Sequence, residues 1–495
     1  MPKSKAFLKQ AKPKPKKEQK LDTADDFQAA GVDFEEAAGK WRAGDAAKSM
    51  RFFERAVDVY GRGLYKFPQS IDLAYNKARV QLEIATHPIL AGLLQRPLKD
   101  ALEEALASHR YVLQLDPDNA DALFNTSQVL TALAEDMASD EDEGNEAKAL
   151  KILHEALDLQ SRCFSVQERK YQEFLEQERI ANEQEEAVDN QATAAEPKDD
   201  TRQGDAGEES EWFNVVEPVT QDTLVDTVLA QLGTLTTFCS ILSSSPEAAP
   251  AHTLSWVEEF STSLLQKAQT FSGDQPERLQ EIALAKGNLV STMLEAAYRS
   301  GKIDVETYKR ERDAAFAAAE LQLERSFDGL VANARSLLAF NSALAESENG
   351  DAQLHSTLRW NVLTAIIANL KSASAIQGVS QEDLATTHLL RGDASLYLCA
   401  MAFPPTLHQT AKDTVTQNAN NAAVYYRNAS RLSQDQEEKD VSSIKSAVAQ
   451  YLQTYSQGQG DLSVIFNASS RDQEWTVQQL EDMVAEKLVP QALLF

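Results

Sequence analysis

From residue 25 onward, apolar and small side chains recur at i, i+3, i+4 and i+7, the period of a helix with one buried face. FQAAGVDFEEAAGKWRAGD reads as one helix that closes at Gly44-Asp45, and AAKSMRFFERAVDVYGRGL reads as the next. Pro68 breaks the chain, because proline lacks the amide hydrogen a helix interior needs. SIDLAYNKARVQLEIA then starts a third helix. Pro88 and Pro97 bracket a loop, and Pro97 suits the first turn of PLKDALEEALASHRYVLQL. EAKALKILHEALDLQ continues the pattern. No segment alternates apolar and polar residues with a sustained period of two, so the predicted fold class is all-α.

The stretch LDPDNADALFNTSQVL, residues 115–130, holds the signature of a joint. Asp116 and Pro117 stop one helix and a second starts at once. The joint recurs. Around it, Ala105 and Val112 precede the Pro117 terminator, Leu123-Phe124-Asn125 opens the next helix, and Ser127 is its small residue. One unit earlier, Pro68 terminates, Ala74-Tyr75-Asn76 opens and Ala78 is small. In the first unit Ala37 is read as the small residue, with Phe53 and Ala56 as a packing pair; in the third, Ala149, Leu153 and Ala156 run small, bulky, small. Small residues at helix crossings let two axes approach closely. Hairpins spaced near 34 residues with these features resemble the tetratricopeptide-repeat family. The resemblance covers about residues 28–160 as three irregular repeats. Departures are Ser49 where alanine is usual, a long loop in the second unit, and the acidic insert SDEDEGNE in the third.

Beyond residue 160 the pattern is looser. VQERKYQEFLEQERI reads as a long polar helix. Residues 183–211 hold eleven Asp/Glu against two Lys/Arg and few bulky apolar residues, too little to form a core. WFNVVEPVTQDTLVDTVLAQLGTLTTFCSIL restarts structure, and at least six helices follow, among them AAFAAAELQLERSFDGLVANARSLLAF. Leu389-Leu390-Arg391-Gly392-Asp393 reads as a helix end and turn, Gly301 marks another turn, and Ala422, Tyr426 and Ala429 repeat the small, bulky, small spacing. EWTVQQLEDMVAEKL reads as a capping helix. The expected organisation is an α-α superhelix, a solenoid of tetratricopeptide type. It has a basic disordered tail at 1–24, repeats at 25–180, an acidic disordered linker at 181–211, and degenerate helical repeats at 212–495.

Charge sharpens this picture. The 495-residue chain carries a formal net charge of −28. Its first twenty residues hold eight lysines and one glutamate, a surplus of +7, which leaves −35 for the remainder. An anionic body repels nucleic acid and anionic membranes and steers basic partners. No apolar run reaches the roughly 18–20 residues that span a bilayer. Three scattered cysteines (Cys163, Cys239, Cys399) indicate neither a disulfide framework nor a zinc site. The expected location is cytoplasmic, nuclear or both; KPKPKK is the kind of cluster an import receptor reads, or else a solubilising tail.

No motif of nucleotide binding, acyl transfer or zinc hydrolysis occurs, and the seven histidines are scattered singly. SDEDEGNE lacks the spacing of a calcium loop. The expectation is no enzyme activity, no cofactor and no metal. In a tetratricopeptide array the first helix of each hairpin lines a groove. The resemblance therefore implies protein-binding positions at Phe34, Tyr75, Asn76, Arg79, Phe124, Asn125 and Gln128, while the charge of Asp140, Glu141, Asp142 and Glu143 suits contact with a lysine- and arginine-rich client or else simple solubilisation. Packing between repeats is the competing reading for Tyr75 and Phe124. The lysine-rich clamp that grips acidic tails of heat-shock chaperones is absent: Phe34, Ala38, Asp121 and Asn125 occupy its positions and Asn76 alone survives. The layout is also similar to acidic tetratricopeptide proteins of fungal type, among them dedicated ribosomal-protein assembly chaperones. These readings converge on a non-enzymatic assembly chaperone or adaptor for a basic, ribosomal or nucleic-acid-binding client. The alternatives are a scaffold subunit of a stable complex and, more remotely, an enzyme with its site in the C-terminal half.

Overall fold

The computed structural model describes residues 21–139, 144–192 (184–192 as backbone only), 218–346, 354–456, 458–469 and 471–493. The basic tail at 1–20, the acidic residues 140–143 and residues 193–217 lie outside the described residues. The protein is all-α: no strand occurs among the described residues. By packing, the chain divides into two units, residues 1–133 and 134–495.

The first unit holds α1 (Ala24–Trp41), α2 (Ala46–Lys66), α3 (Ile71–Thr86), the short α4 (Pro88–Ala91), α5 (Leu98–Leu115) and the greater part of α6 (Ala120–Ala138). Local chemistry sets the starts. Thr23 and Asp26 form a reciprocal capping box on α1, the Thr23 hydroxyl accepting from the Asp26 amide at 3.1 Å. Asp45 and Ser70 cap α2 and α3. At the Asp-Pro-Asp-Asn joint, α5 stops at Leu115 and Asn119 Oδ1 accepts from the Ala122 amide at 2.9 Å to start α6. Pro88 and Pro97 do bracket the connection, but it folds a helical turn, α4, whose Leu90 is fully buried. Consecutive helices pack as antiparallel neighbours: α1 on α2, α2 on α3, α3 on α5. Phe27, Phe53, Tyr60 and Leu73 centre one core cluster; Ala74, Ala78, Val112 and Ala122 centre another.

The second unit holds α7 (Asn145–Ala192), α8 (Gln221–Ser244), α9 (Thr253–Ser272), α10 (Pro276–Arg299), α11 (Val305–Phe316), α12 (Phe327–Glu346), α13 (Ser356–Ala373), α14 (Gln381–Ala400), α15 (Gln409–Leu432), α16 (Gln436–Tyr455), α17 (Ser463–Phe466) and α18 (Gln473–Ala485). Packing is again sequential from α7 to α17, each helix against its predecessor, with α8–α10, α10–α12, α12–α14 and α16–α18 added across one position. α8 is the one described helix long and apolar enough to cross a membrane by length and composition. Its Leu224, Val228, Leu232, Leu235 and Phe238 are instead buried in the core of this unit. Burying a side chain such as Phe238 contributes about 2–3 kcal/mol.

Four local readings of the sequence are corrected. The small residue of the first hairpin is Gly31, not Ala37: a Cβ on Gly31 would sit 2.2 Å from Tyr60 Cε1, whereas Ala37 is half-buried. The segment 389–393 is not a turn, because α14 runs straight through it. Gly392 is there for closeness, since a Cβ would fall 2.5 Å from Tyr426 Cε1. The alanine-rich stretch 314–340 is not one helix. It breaks after Phe316 through two 3-10 turns around Gln322 (φ 45°), and Leu321 turns inward to full burial beside Ala283 and Phe316. Helix propensity is a weak prior that such burial overrides. Finally, 145–160 and 165–180 are a single helix that continues to Ala192, so residues 181–192 of the expected linker are helical. The expected boundaries near 180 and 211 do not coincide with the division after Leu133, which falls within the span of α6.

Candidate functional site

In the first unit, helices α1, α3 and α6 carry the residues singled out from sequence. Tyr75 and Arg79 stand one turn apart on α3, and Asn125 of α6 donates from Nδ2 to the Tyr75 hydroxyl at 3.3 Å. The Arg79 guanidinium grips the carboxylate of Glu35 on α1, and that carboxylate also accepts from the Tyr60 hydroxyl of α2 at 2.5 Å. The result is a half-buried polar row, Glu35, Arg79, Tyr75, Asn125, laid across three helices. Burial, with the Asp121 charge added, raises the Tyr75 hydroxyl above the ordinary phenol range against the pull of Arg79 and Asn125. Burial pulls the Arg79 cation down, but Glu35 more than restores it.

Asn76, Phe124 and Gln128 are half-buried on the same two helices, and the Asn76 and Gln128 amides have no hydrogen bond among the described residues. Phe34 is placed elsewhere. Its ring stacks on Phe52 with centroids 6.4 Å apart and lies under the Arg55 guanidinium at 4.2 Å, a contact within the α1–α2 hairpin. Asp140, Glu141, Asp142 and Glu143 lie outside the described residues. Sequence reading missed Glu35, which organises the row; its signal was an acid one turn after the close-packed Gly31.

In the second unit, α8, α10 and α12 line an open cleft of about 560 Å³. Thr236 and Ser240 come from α8, Asn288, Thr292 and Glu295 from α10, and Asp328, Arg335 and Ala339 from α12. The lining positions recur at one-, three- and four-residue steps, so each helix turns one face to the same opening, and Leu284, Val331 and Ala332 make that face partly apolar. The floor is tied: Ser291 and Ser336 share a 2.5 Å hydrogen bond, and Arg312 Nε donates to Ser336 Oγ at 2.9 Å. Glu295 accepts from Arg299 Nε at 2.9 Å, and Arg299 also grips Glu346. Burial pushes the Glu295 carboxyl up despite Arg299. Neither histidine nor cysteine lines the cleft. Among the described residues no group of three metal-binding side chains occurs. Sequence reading also missed this cleft; its signal was hydroxyl and amide residues at helical spacing on α8 and α10.

Comparison with known proteins adds little chemistry. No family model matches the chain. A UPF0656 protein of Schizosaccharomyces pombe is 32% identical over 163 residues, 31% of this chain and 34% of that protein. An uncharacterized protein of Saccharomyces cerevisiae is 38% identical over 78 residues, 15% of this chain and 14% of that one. The matched stretches thus span about a third or less of these curated relatives. A circular tandem repeat protein of novel repeat topology aligns over 95% of this chain and 98% of its own, at 13% identity and a TM-score of 0.30, a likeness too distant to argue from.

Proposed function

We propose that the protein is a non-enzymatic helical-repeat protein that binds extended, basic protein segments, as an assembly chaperone or adaptor for a ribosomal or nucleic-acid-binding client does. One observation carries the reading: Thr236 and Ser240 of α8, Asn288 and Thr292 of α10, and the carboxylates Glu295 and Asp328 line a single open cleft together with Arg335 and the apolar Leu284, Val331, Ala332 and Ala339. Hydroxyl and amide groups suit peptide backbone, which needs a donor or acceptor at every residue. The net charge of −28 favours encounter with lysine- and arginine-rich chains and makes binding sensitive to salt. The free amides of Asn76 and Gln128 offer the same chemistry in the first unit.

The test is binding of a labelled lysine/arginine-rich peptide at rising salt, beside a glutamate-rich control. Basic peptide alone is expected to bind, with affinity falling as salt rises. Asp328→Arg is expected to weaken it by about tenfold, the worth of one charge-assisted hydrogen bond. Equal binding of both peptides, or an unaffected variant, refutes the client class. A second reading, a scaffold subunit of a stable complex, draws on α7. Phe174, Leu175 and Ile180 are about 40% exposed on its outer half. A partner retained at high salt and lost on Phe174→Ser favours that reading.

A further inference from the structure

A second cavity, of about 400 Å³, lies in the second unit between the α14–α15 connection, the start of α13 and the chain that follows α18. Its chemistry is opposite to that of the molecule as a whole. Arg359 of α13 lines it and is 6% exposed. Its Nε donates to Asn341 Oδ1 at 3.0 Å, and among the described residues no carboxylate pairs with the guanidinium. The other deeply buried arginine, Arg312, shows what satisfaction looks like: it meets Asp313, Asn333 and Ser336. Lys487 adds a second cation at the rim, and among the described residues no acid lines the wall. The acids of this region face elsewhere, since Asp393 is bound to Lys445 at 3.0 Å and the Lys445 charge also acts on Glu486. The Thr406 hydroxyl lines the cavity and has no hydrogen bond among the described residues. Met401, Val484 and Val489 supply apolar walls.

A buried cation without a counter-ion is costly unless an anion joins it. The planar fork of a guanidinium matches a carboxylate in two-point contact. We propose that this cavity binds a carboxylate carried on an apolar stem, with Arg359 taking the carboxylate, Lys487 and Thr406 flanking it, and the stem lying against Met401, Val484 and Val489. The carboxylate belongs to a peptide C-terminus or to a small free acid, and both present the same group.

The test is calorimetric titration of the full chain with N-acetyl-leucyl-phenylalanine, its C-terminal amide, 3-phenylpropanoate and inorganic phosphate. The free acid is expected to bind and the amide to bind about tenfold to a hundredfold more weakly, because the charge-assisted bonds are lost. A peptide acid that binds more tightly than 3-phenylpropanoate assigns the site to a peptide terminus; equal binding assigns it to a small acid. Arg359→Met is expected to abolish acid binding while leaving the helical circular-dichroism signal unchanged, with the thermal midpoint lowered because Asn341 Oδ1 loses its donor. Should that variant fail to fold, Lys487→Gln at the exposed rim is expected to weaken the acid several-fold and leave the amide unchanged. Equal binding of acid and amide, no binding of either acid, preference for phosphate, or variants that bind as well as the parent would each overturn the assignment.

Discussion

Two places in the molecule, one in each unit, are built from the same parts. In the first, Gly31 of α1 lets the Tyr60 ring of α2 press against the helix backbone; the tyrosine hydroxyl donates to Glu35, and Arg79 of α3 grips that carboxylate. In the second, Gly392 of α14 receives the Tyr426 ring of α15; the hydroxyl donates to Asp393 at 2.8 Å, and Lys445 of α16 reaches the same oxygen at 3.0 Å. Each lock ties three successive helices. Tyrosine and cation are nineteen residues apart in both, Tyr60 to Arg79 and Tyr426 to Lys445. The difference is water. The Arg79 side chain is 40% exposed and the Lys445 side chain 14%. Burial pulls the Lys445 ammonium down, but Asp393 and Glu486 hold its affinity for the proton above the ordinary lysine value. One arrangement therefore has two energies, set by the dielectric around the cation.

Removing the cations sharpens that contrast most. Lys445→Met strands the half-buried Asp393 with the tyrosine hydroxyl and is expected to cost about 3–5 kcal/mol in denaturant unfolding. Arg79→Met strands Glu35, whose side chain is 13% exposed, but removes a cation that is 40% exposed, and is expected to cost less, about 2–3 kcal/mol; equal losses would break the comparison.

Acid separates the units next. His109 of α5 is fully buried, and burial lowers it from 6.5 to about 4. A histidine held neutral when folded protonates on unfolding, so its contribution is complete above about pH 6.5 and is lost as pH falls toward 4. That amounts to about 3 kcal/mol at roughly 1.4 kcal/mol per pH unit. The buried Glu295 of the second unit has its carboxyl raised, so its contribution runs the other way: present below the ordinary glutamate range and lost as pH rises through the raised value. Hydrogen exchange between pH 6.5 and 4 is expected to show opening of α3 and α5 before α10 and α12, and His109→Leu is expected to flatten the acid dependence of the first unit.

The glycines come third. Gly31→Ala and Gly392→Ala each place a methyl inside a tyrosine ring's space and are expected to cost about 1–3 kcal/mol in thermal or chemical unfolding. Smallest is Tyr60→Phe, which leaves Glu35 its arginine and is expected to cost about 1 kcal/mol; a larger loss would mean that the hydroxyl, not Arg79, holds the row.

Much of this was readable in advance. The period of apolar residues, the proline stops and the capping side chains placed most helices, because those signals act within one turn of chain. The Asp116 to Asn119 joint is the clearest case. Tyr75, Arg79 and Asn125 were picked out by their place on the first helix of each hairpin, and the structure does bring them together. Phe34 was picked by the same rule and packs against α2 instead, since the rule counts residues and cannot see which neighbour a ring meets. Gly392 was misread because a glycine looks alike at a turn and at a close crossing. Leu321 was misread because alanine-rich sequence favours helix until a buried contact outweighs it.

What the sequence by itself determined is the all-helical class, the antiparallel succession of helices and the acidic character of the chain. These follow from local propensity, spacing and net charge, none of which needs a distant partner. Only the tertiary structure decided which carboxylates hold which cations, where faces of three helices open into one cleft, and that Arg359 stands at a cavity with no carboxylate partner among the described residues. Such juxtapositions join residues tens of positions apart, and side-chain burial, which sets their energies, exists only once the helices have packed.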